Sequence, residues 1–305
     1  MRNPARIPSC RFALANLKVS RVEDFVDPAI DPYFLLPDLT DDVISANLDW
    51  LAPNFIDRTT RKLDIHIQSW LIDTGEHRVL VDACGGNDKH RPFFPVFDHA
   101  KRPYLENLAG AGYAPEDIDF VFCTHLHVDH VGWNTRLESG VWVPTFPNAR
   151  YLFSEAEYRH ADPACRLSGE LEAKDVIFND SVLPIVEAGL SILVNGVHEV
   201  TEQLHIQPAS GHSPGHCILR ASSGGQTALF TGDALHHPLQ IAAPHFNSFA
   251  CEDAVQARET RLRILDECAE HGYLLVPAHF APPHVGRIRK TGSTFAFMPG
   301  GVQNF

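Results

Sequence analysis

The chain has 305 residues, with 38 acidic against 25 basic side chains and a net charge of −13. At 44% hydrophobic and 21% charged residues it has the balance of a globular protein, which excludes disorder as the main state. The acidic balance argues against a duplex nucleic-acid partner, which needs concentrated Lys and Arg.

Residues 1–60 read as an arm packed on the domain that follows, with Phe25, Tyr33, Phe34, Trp50 and Phe55 scattered among Pro and Asp. Pro4, Pro8 and several Arg interrupt Met1–Val19, so no signal peptide is expected. A short helix is expected over Asp41–Trp50, where Thr40, Asp41 and Asp42 supply capping oxygens. From Leu63 to Leu71 apolar residues alternate with polar ones, a strand pattern. Thr74-Gly75-Glu76 turns the chain into a second strand, Val79–Val81, ending at Asp82. A helix over Pro103–Gly112 and a buried strand over Ile118–Cys123 follow.

Strand Tyr151–Phe153 leads into a helix where Ser154 and Glu157 have capping-box spacing. Another helix is expected over Asp175–Ala188, then strands Leu204–Ile206, Cys217–Ala221 and Thr227–Thr231. A long helix covers Glu252–His271, and Tyr273–Val276 is the last strand expected. Two groups of strands with helices between them predict a single α/β domain over residues 61–305, a four-layer αββα sandwich. No stretch approaches the ~18 apolar residues of a membrane span. Seven Cys without a CxxC pair suit neither a disulfide framework nor a thiolate zinc site, so the cytoplasm is the location expected.

Eighteen His raise the expectation of a metal centre, and their clustering matters more than their number. Strand Ile118–Cys123 runs straight into Thr124-His125-Leu126-His127-Val128-Asp129-His130. A lone HxH is usually a solvated loop. Four potential ligands within six positions after a buried strand are not, because a loop leaving a strand end can bring alternate side chains together. His212, Asp233 and His279 stand just after later strands, where α/β proteins build sites. Singly, each has a bland reading as a cap, a turn residue or a surface His.

The order HxHxDH, Gly211-His212-Ser213-Pro214-Gly215-His216, Thr231-Gly232-Asp233 and Pro277-Ala278-His279 resembles the metallo-β-lactamase superfamily of hydrolases, over roughly residues 63–290. The family fold is the αββα sandwich. The resemblance implies that His125, His127 and His212 bind one metal, that Asp129, His130 and His279 bind a second, and that Asp233 bridges them. It also implies that Asp82 orients a ligand His; His216 is either a similar support or a cap. Imidazole and carboxylate ligands suit two Zn2+ ions, with Mn, Co or Fe tolerated.

Val131-Gly132-Trp133-Asn134-Thr135 and Trp142-Val143-Pro144 place the resemblance near quorum-quenching lactonases and enzymes of the methyl parathion hydrolase type. The implied reaction is hydrolysis of a lactone or other carboxylic ester by a metal-bridging hydroxide, with Asp129 handling its proton. An organophosphate triesterase or arylesterase would use the same site, and a non-catalytic metal-binding protein is the alternative of another class. Lactonases of this kind often carry Tyr three residues after the bridging Asp. Here His236 stands there, a candidate donor to substrate. Residues 33–37, 50–55 and 238–249 are expected to wall a pocket for a small, largely apolar ester or lactone, the alternative for their aromatics being core, the commoner place for each, or a dimer contact. No nucleic-acid or membrane partner is expected, and a homodimer is the assembly the resemblance suggests.

Overall fold

The structure, a computed structural model, describes residues 10–165 and 172–302. In chain order its strands begin with β1 (Arg11–Leu14), β2 (Leu17–Ile30), β3 (Leu63–Asp73), β4 (Arg78–Val81), β5 (Phe120–Phe122), β6 (Thr135–Glu138), β7 (Val141–Pro144), β8 (Arg150–Ser154) and β9 (Ser191–Val194). They continue with β10 (His198–Thr201), β11 (Leu204–Pro208), β12 (Cys217–Ser223), β13 (Gln226–Phe230), β14 (Leu274–Val276), β15 (Gly286–Thr291) and β16 (Thr294–Pro299). The helices are α1 (Pro32–Leu35), α2 (Asp41–Leu51), α3 (Tyr104–Ala111), α4 (Glu155–Ala161), α5 (Ala173–Ser181), α6 (Leu183–Glu187), α7 (Leu239–Ala242) and α8 (Ala254–His271).

Two seven-stranded sheets run in the orders β1-β2-β3-β4-β5-β8-β9 and β10-β11-β12-β13-β14-β15-β16. The expected four layers follow from side-chain alternation. Val79 and Val81 of β4, Ala228 and Phe230 of β13 and Leu274 and Val276 of β14 all join one core cluster between the sheets. Their neighbours Leu80, Leu229 and Leu275 point outward into the core beneath the helices. Burial on both faces is why these strands read as unbroken apolar runs. No helix among the described residues is long and apolar enough to cross a membrane.

Four expectations are corrected. Residues 11–30 are not an arm packed on the domain but part of its first sheet: β1 and β2 complete that sheet, with β2 pairing antiparallel along β3. The first nine residues of that arm lie outside the described residues. With β2 alongside, β3 is buried on both faces, and its polar residues survive burial by pairing: Arg21 donates to Gln68 Oε1 at 3.0 Å and lies 3.5 Å from His66 Nδ1. The helix over 175–188 is two helices broken at Val182, because Pro184 has no N–H to continue the ladder. Tyr273–Val276 is not the last strand, since the β15–β16 hairpin extends the second sheet.

Fully buried His237 donates through Nε2 to Phe55 O at 2.9 Å and accepts at Nδ1 from Leu239 N at 3.2 Å, so it is held neutral. Burial pushes its pKa down to about 4. Above pH ~6.5 both the folded and the unfolded side chain are neutral. Between ~6.5 and ~4 the unfolded chain takes up a proton that the folded chain refuses, so stability is lost as pH falls. The expected loss through His237 is about 2 kcal/mol at pH 5. Urea unfolding at pH 7 and pH 5 checks it: His237→Gln should lose less stability than the wild type over that interval.

Candidate metal centre

Every motif residue is delivered by a chain segment just past a strand. After β5 the chain is pinned by Asp82, which follows β4 in a left-handed conformation (φ 61°). Its Oδ1 accepts from Thr124 N at 2.8 Å and from Thr124 Oγ1 at 3.0 Å. Its Oδ2 lies 3.0 Å from His130 Nδ1, the orienting contact expected of it. Gly232, before the bridging candidate, has φ +47°, and a Cβ there would fall 2.7 Å from both His216 Nε2 and Thr124 Oγ1. Only glycine fits this approach.

The geometry brings all seven predicted ligands together. His212 Nε2 lies 3.1 Å from His125 Nε2 and 3.0 Å from His127 Nδ1. Three nitrogens around a tetrahedral zinc stand about 3.3 Å apart. Asp233 faces both groups with different oxygens. Oδ2 is 3.4 Å from His212 Nε2 and 3.8 Å from His125 Nε2. Oδ1 is 2.8 Å from His279 Nε2 and 3.3 Å from His130 Nε2. Asp129 completes the second group, 3.6 Å from His279 Nε2 and 3.7 Å from His130 Nε2.

Both ring nitrogens of His130 and of His236, with Asp233 Oδ1, are buried without a well-aligned hydrogen bond despite these short separations. Buried polar atoms rarely stay unpaired, and His130 Nε2 and Asp233 Oδ1, 3.3 Å apart, face one another as ligands sharing a cation would. The residues therefore fit a pair of divalent ions.

Electrostatics separates the halves. Burial, reinforced for His125 by His130, His127 and His212, holds His125 and His212 well below the usual imidazole pKa, in the neutral form a metal needs. Burial also pulls on His130 and His279, but Asp233 and Asp129, joined at His130 by Asp82, outweigh it and raise both. Asp233 is itself held well below the carboxylate range: burial opposes this, and His279, His130, His236 and His212 prevail.

His216 turns away from the centre. Its Nδ1 donates to Ala209 O and its Nε2 accepts from Asp233 N, each at 3.1 Å, so it steadies the backbone of the bridging residue. His236 Nε2 sits 3.2 Å from Asp233 Oδ2, and its ring stacks on His279 at an interplanar angle of 17°.

The centre forms the floor of a cavity of about 470 Å3, walled by Leu35, Phe94, Phe97, Val128, Ile177 and Phe249. The expectation for its walls holds at Leu35, Ser248 and Phe249 and fails for residues 50–55. Phe55 is only 1% exposed and packs edge-on against Phe280 and Phe297 in the core. The walls that sequence reasoning missed come from Ile65 and Ile67 of β3, from the 91–99 loop and from α5, the last adding Lys174.

Glu157 was also missed. It makes no capping box; its buried carboxylate instead accepts from Leu126 N, Ser213 Oγ and Gly215 N. Nothing in the sequence around Glu157 marked this, and spacing alone favoured the cap.

Comparison with known proteins agrees with this geometry. The family model described as the metallo-beta-lactamase superfamily matches residues 64–279. An N-acyl homoserine lactonase of Bacillus cereus is 28% identical over 185 residues, 56% of this chain but 65% of that protein, so the chain spans just under two thirds of this relative. Among solved structures, a hydrolase of the beta lactamase superfamily, AbOPH, superposes with a TM-score of 0.80 at 22% identity, covering 97% of this chain and 98% of that one. AidC, a dizinc quorum-quenching lactonase solved with a product homoserine, superposes at 0.72 with 21% identity, covering 96% and 98%. At such identities the two structures speak for the fold alone. The family match spans the whole ligand series from β3 to His279, and with the sandwich and the converging ligands it places the chain in the metallo-beta-lactamase superfamily.

Proposed function

We propose that the chain is a dinuclear metal-dependent hydrolase that opens a lactone or cleaves another small, largely apolar carboxylic ester. The observation that carries this reading is the joining of seven converged ligand groups to an apolar cavity of about 470 Å3. In it, His125, His127 and His212 would hold one ion and Asp129, His130 and His279 the other, with Asp233 standing between the two groups. Zinc is the metal this donor set suits best. Bound divalent ions would polarise the ester carbonyl and make water a nucleophile near neutral pH.

The chain's own groups do the rest. Asp129 is the ligand carboxylate most open to the cavity, its side chain 20% exposed against 5% for Asp233, so it can carry a proton to the leaving oxygen. His236 lines the floor and can donate to the substrate. The apolar walls exclude water and accept a hydrocarbon substituent.

Proton release by the metal-loaded protein on a panel of lactones, aryl esters and phosphotriesters tests the proposal, with His212→Ala as control. The expected result is metal-dependent release on lactones, reduced about a hundredfold or more in the variant. Turnover of phosphotriesters without lactones would overturn the substrate class. Tight metal binding without any turnover would favour a non-catalytic metal-binding protein.

A further inference from the structure

Glu157 lies in the first turn of α4, 3% exposed, with no cation against its carboxylate among the contacts described. Its Oε1 accepts from Leu126 N at 3.2 Å, in the loop carrying His125 and His127. Its Oε2 accepts from Ser213 Oγ at 2.8 Å and Gly215 N at 2.9 Å, in the loop carrying His212. A buried carboxylate is costly unless it is hydrogen-bonded, and here three donors from two separate loops supply the bonds. The contact is close: a Cβ on Gly215 would fall 2.1 Å from Glu157 N. The same helix reaches the His212 loop again, since His160 Nε2 lies 3.0 Å from Glu252 Oε1 and Glu252 N donates to His212 O at 2.9 Å. The other ligands are held elsewhere. Asp82 lies against His130, and His279 Nδ1 donates to His66 O at 2.9 Å.

We infer that Glu157 is a positioning residue: its carboxylate clasps the 125–127 loop to the 212–215 loop and so builds the His125–His127–His212 triad, leaving the Asp129–His130–His279 group to its own restraints. The inference rests on reading the centre as two metal sites. It makes the two sites separable, because loss of one carboxylate loosens the first and spares the second.

The test uses the full chain loaded with Co2+, comparing the wild type with Glu157→Ala, Glu157→Gln and Ser213→Ala. Cobalt content, the visible spectrum and the shifted proton resonances of the ligand imidazoles are followed as a chelator is added. In Glu157→Ala the triad's cobalt should leave at a chelator concentration about ten- to a hundredfold lower, the scale of lost support behind metal ligands. The second cobalt should leave as in the wild type. Ser213→Ala, which removes one of the three donors, should shift the same site by less, and Glu157→Gln should fall between the two.

Equal weakening of both sites, or no shift at either, in variants with the wild-type circular dichroism would overturn the inference alone. Wild type binding fewer than two cobalt ions would overturn the two-site reading and this inference with it. Should Glu157→Ala fail to fold, the Gln and Ser213 variants carry the same comparison.

Discussion

Replacing Asp233 with alanine is expected to lower kcat/KM about a thousandfold, ~4 kcal/mol of transition-state stabilisation. The magnitude follows from its position. Both ligand groups face this one carboxylate, with Oδ1 2.8 Å from His279 and Oδ2 3.4 Å from His212. Its backbone is fixed by His216 and its approach depends on Gly232. Alanine removes both oxygens, so metal content should fall together with activity. Asn keeps one oxygen and should retain more metal than alanine does. The same residue raises His130 and His279, so in the metal-free variant these imidazoles should titrate at lower pH, which proton NMR would read.

Asp180→Ala should act on stability instead, lowering the unfolding free energy by about 3–5 kcal/mol, the cost of stranding buried charge. Asp180 receives both guanidinium nitrogens of Arg91, at 2.6 and 2.7 Å, and Lys89 Nζ lies 3.4 Å from its Oδ1. Lys89 and Arg91 are both essentially inaccessible. Burial already pushes Lys89 down to about 7, with Asp180 opposing and Arg91 assisting. Without Asp180 the lysine can shed its proton, but the guanidinium cannot. The two cations open the loop whose later residues Phe94 and Phe97 wall the cavity, and Asp180 lies in the last turn of the helix that supplies Ile177. Chemical denaturation measures the stability loss, and KM should rise more than kcat falls. Asp233→Ala should show the reverse division.

The converging cluster of candidate ligands was legible because its chemistry is written in consecutive residues. His125, His127, Asp129 and His130 cannot be spread far apart by any fold, and His212, Asp233 and His279 each follow an apolar run short enough to be a buried strand. The layered fold was legible for a related reason, since runs such as Val79–Val81 and Thr227–Thr231 are apolar on both faces. The edges were not. β2 carries Arg21, Glu23 and Asp24, whose burial depends on partners far along the chain, such as Gln68 for Arg21 and Arg102 for Asp24. The β15 strand is largely exposed, with basic residues and only Ile288 as a buried large apolar side chain, so no periodic signal marks it.

The cavity was legible only in part. Phe55 and Phe249 look alike in sequence, yet one is sealed into the core and the other stacks at the rim with Phe34 at 4.6 Å. Glu157 shows the limit most plainly. Its capping-box spacing is a local rule, and three donors from distant loops override it.

Stepwise zinc reconstitution of chelator-treated protein, with bound metal and lactone turnover measured on the same samples, tests the central claim most directly. The account predicts two ions per chain and full turnover only as the second is bound. Full turnover in the metal-free protein, or saturation at fewer than two ions, would contradict it.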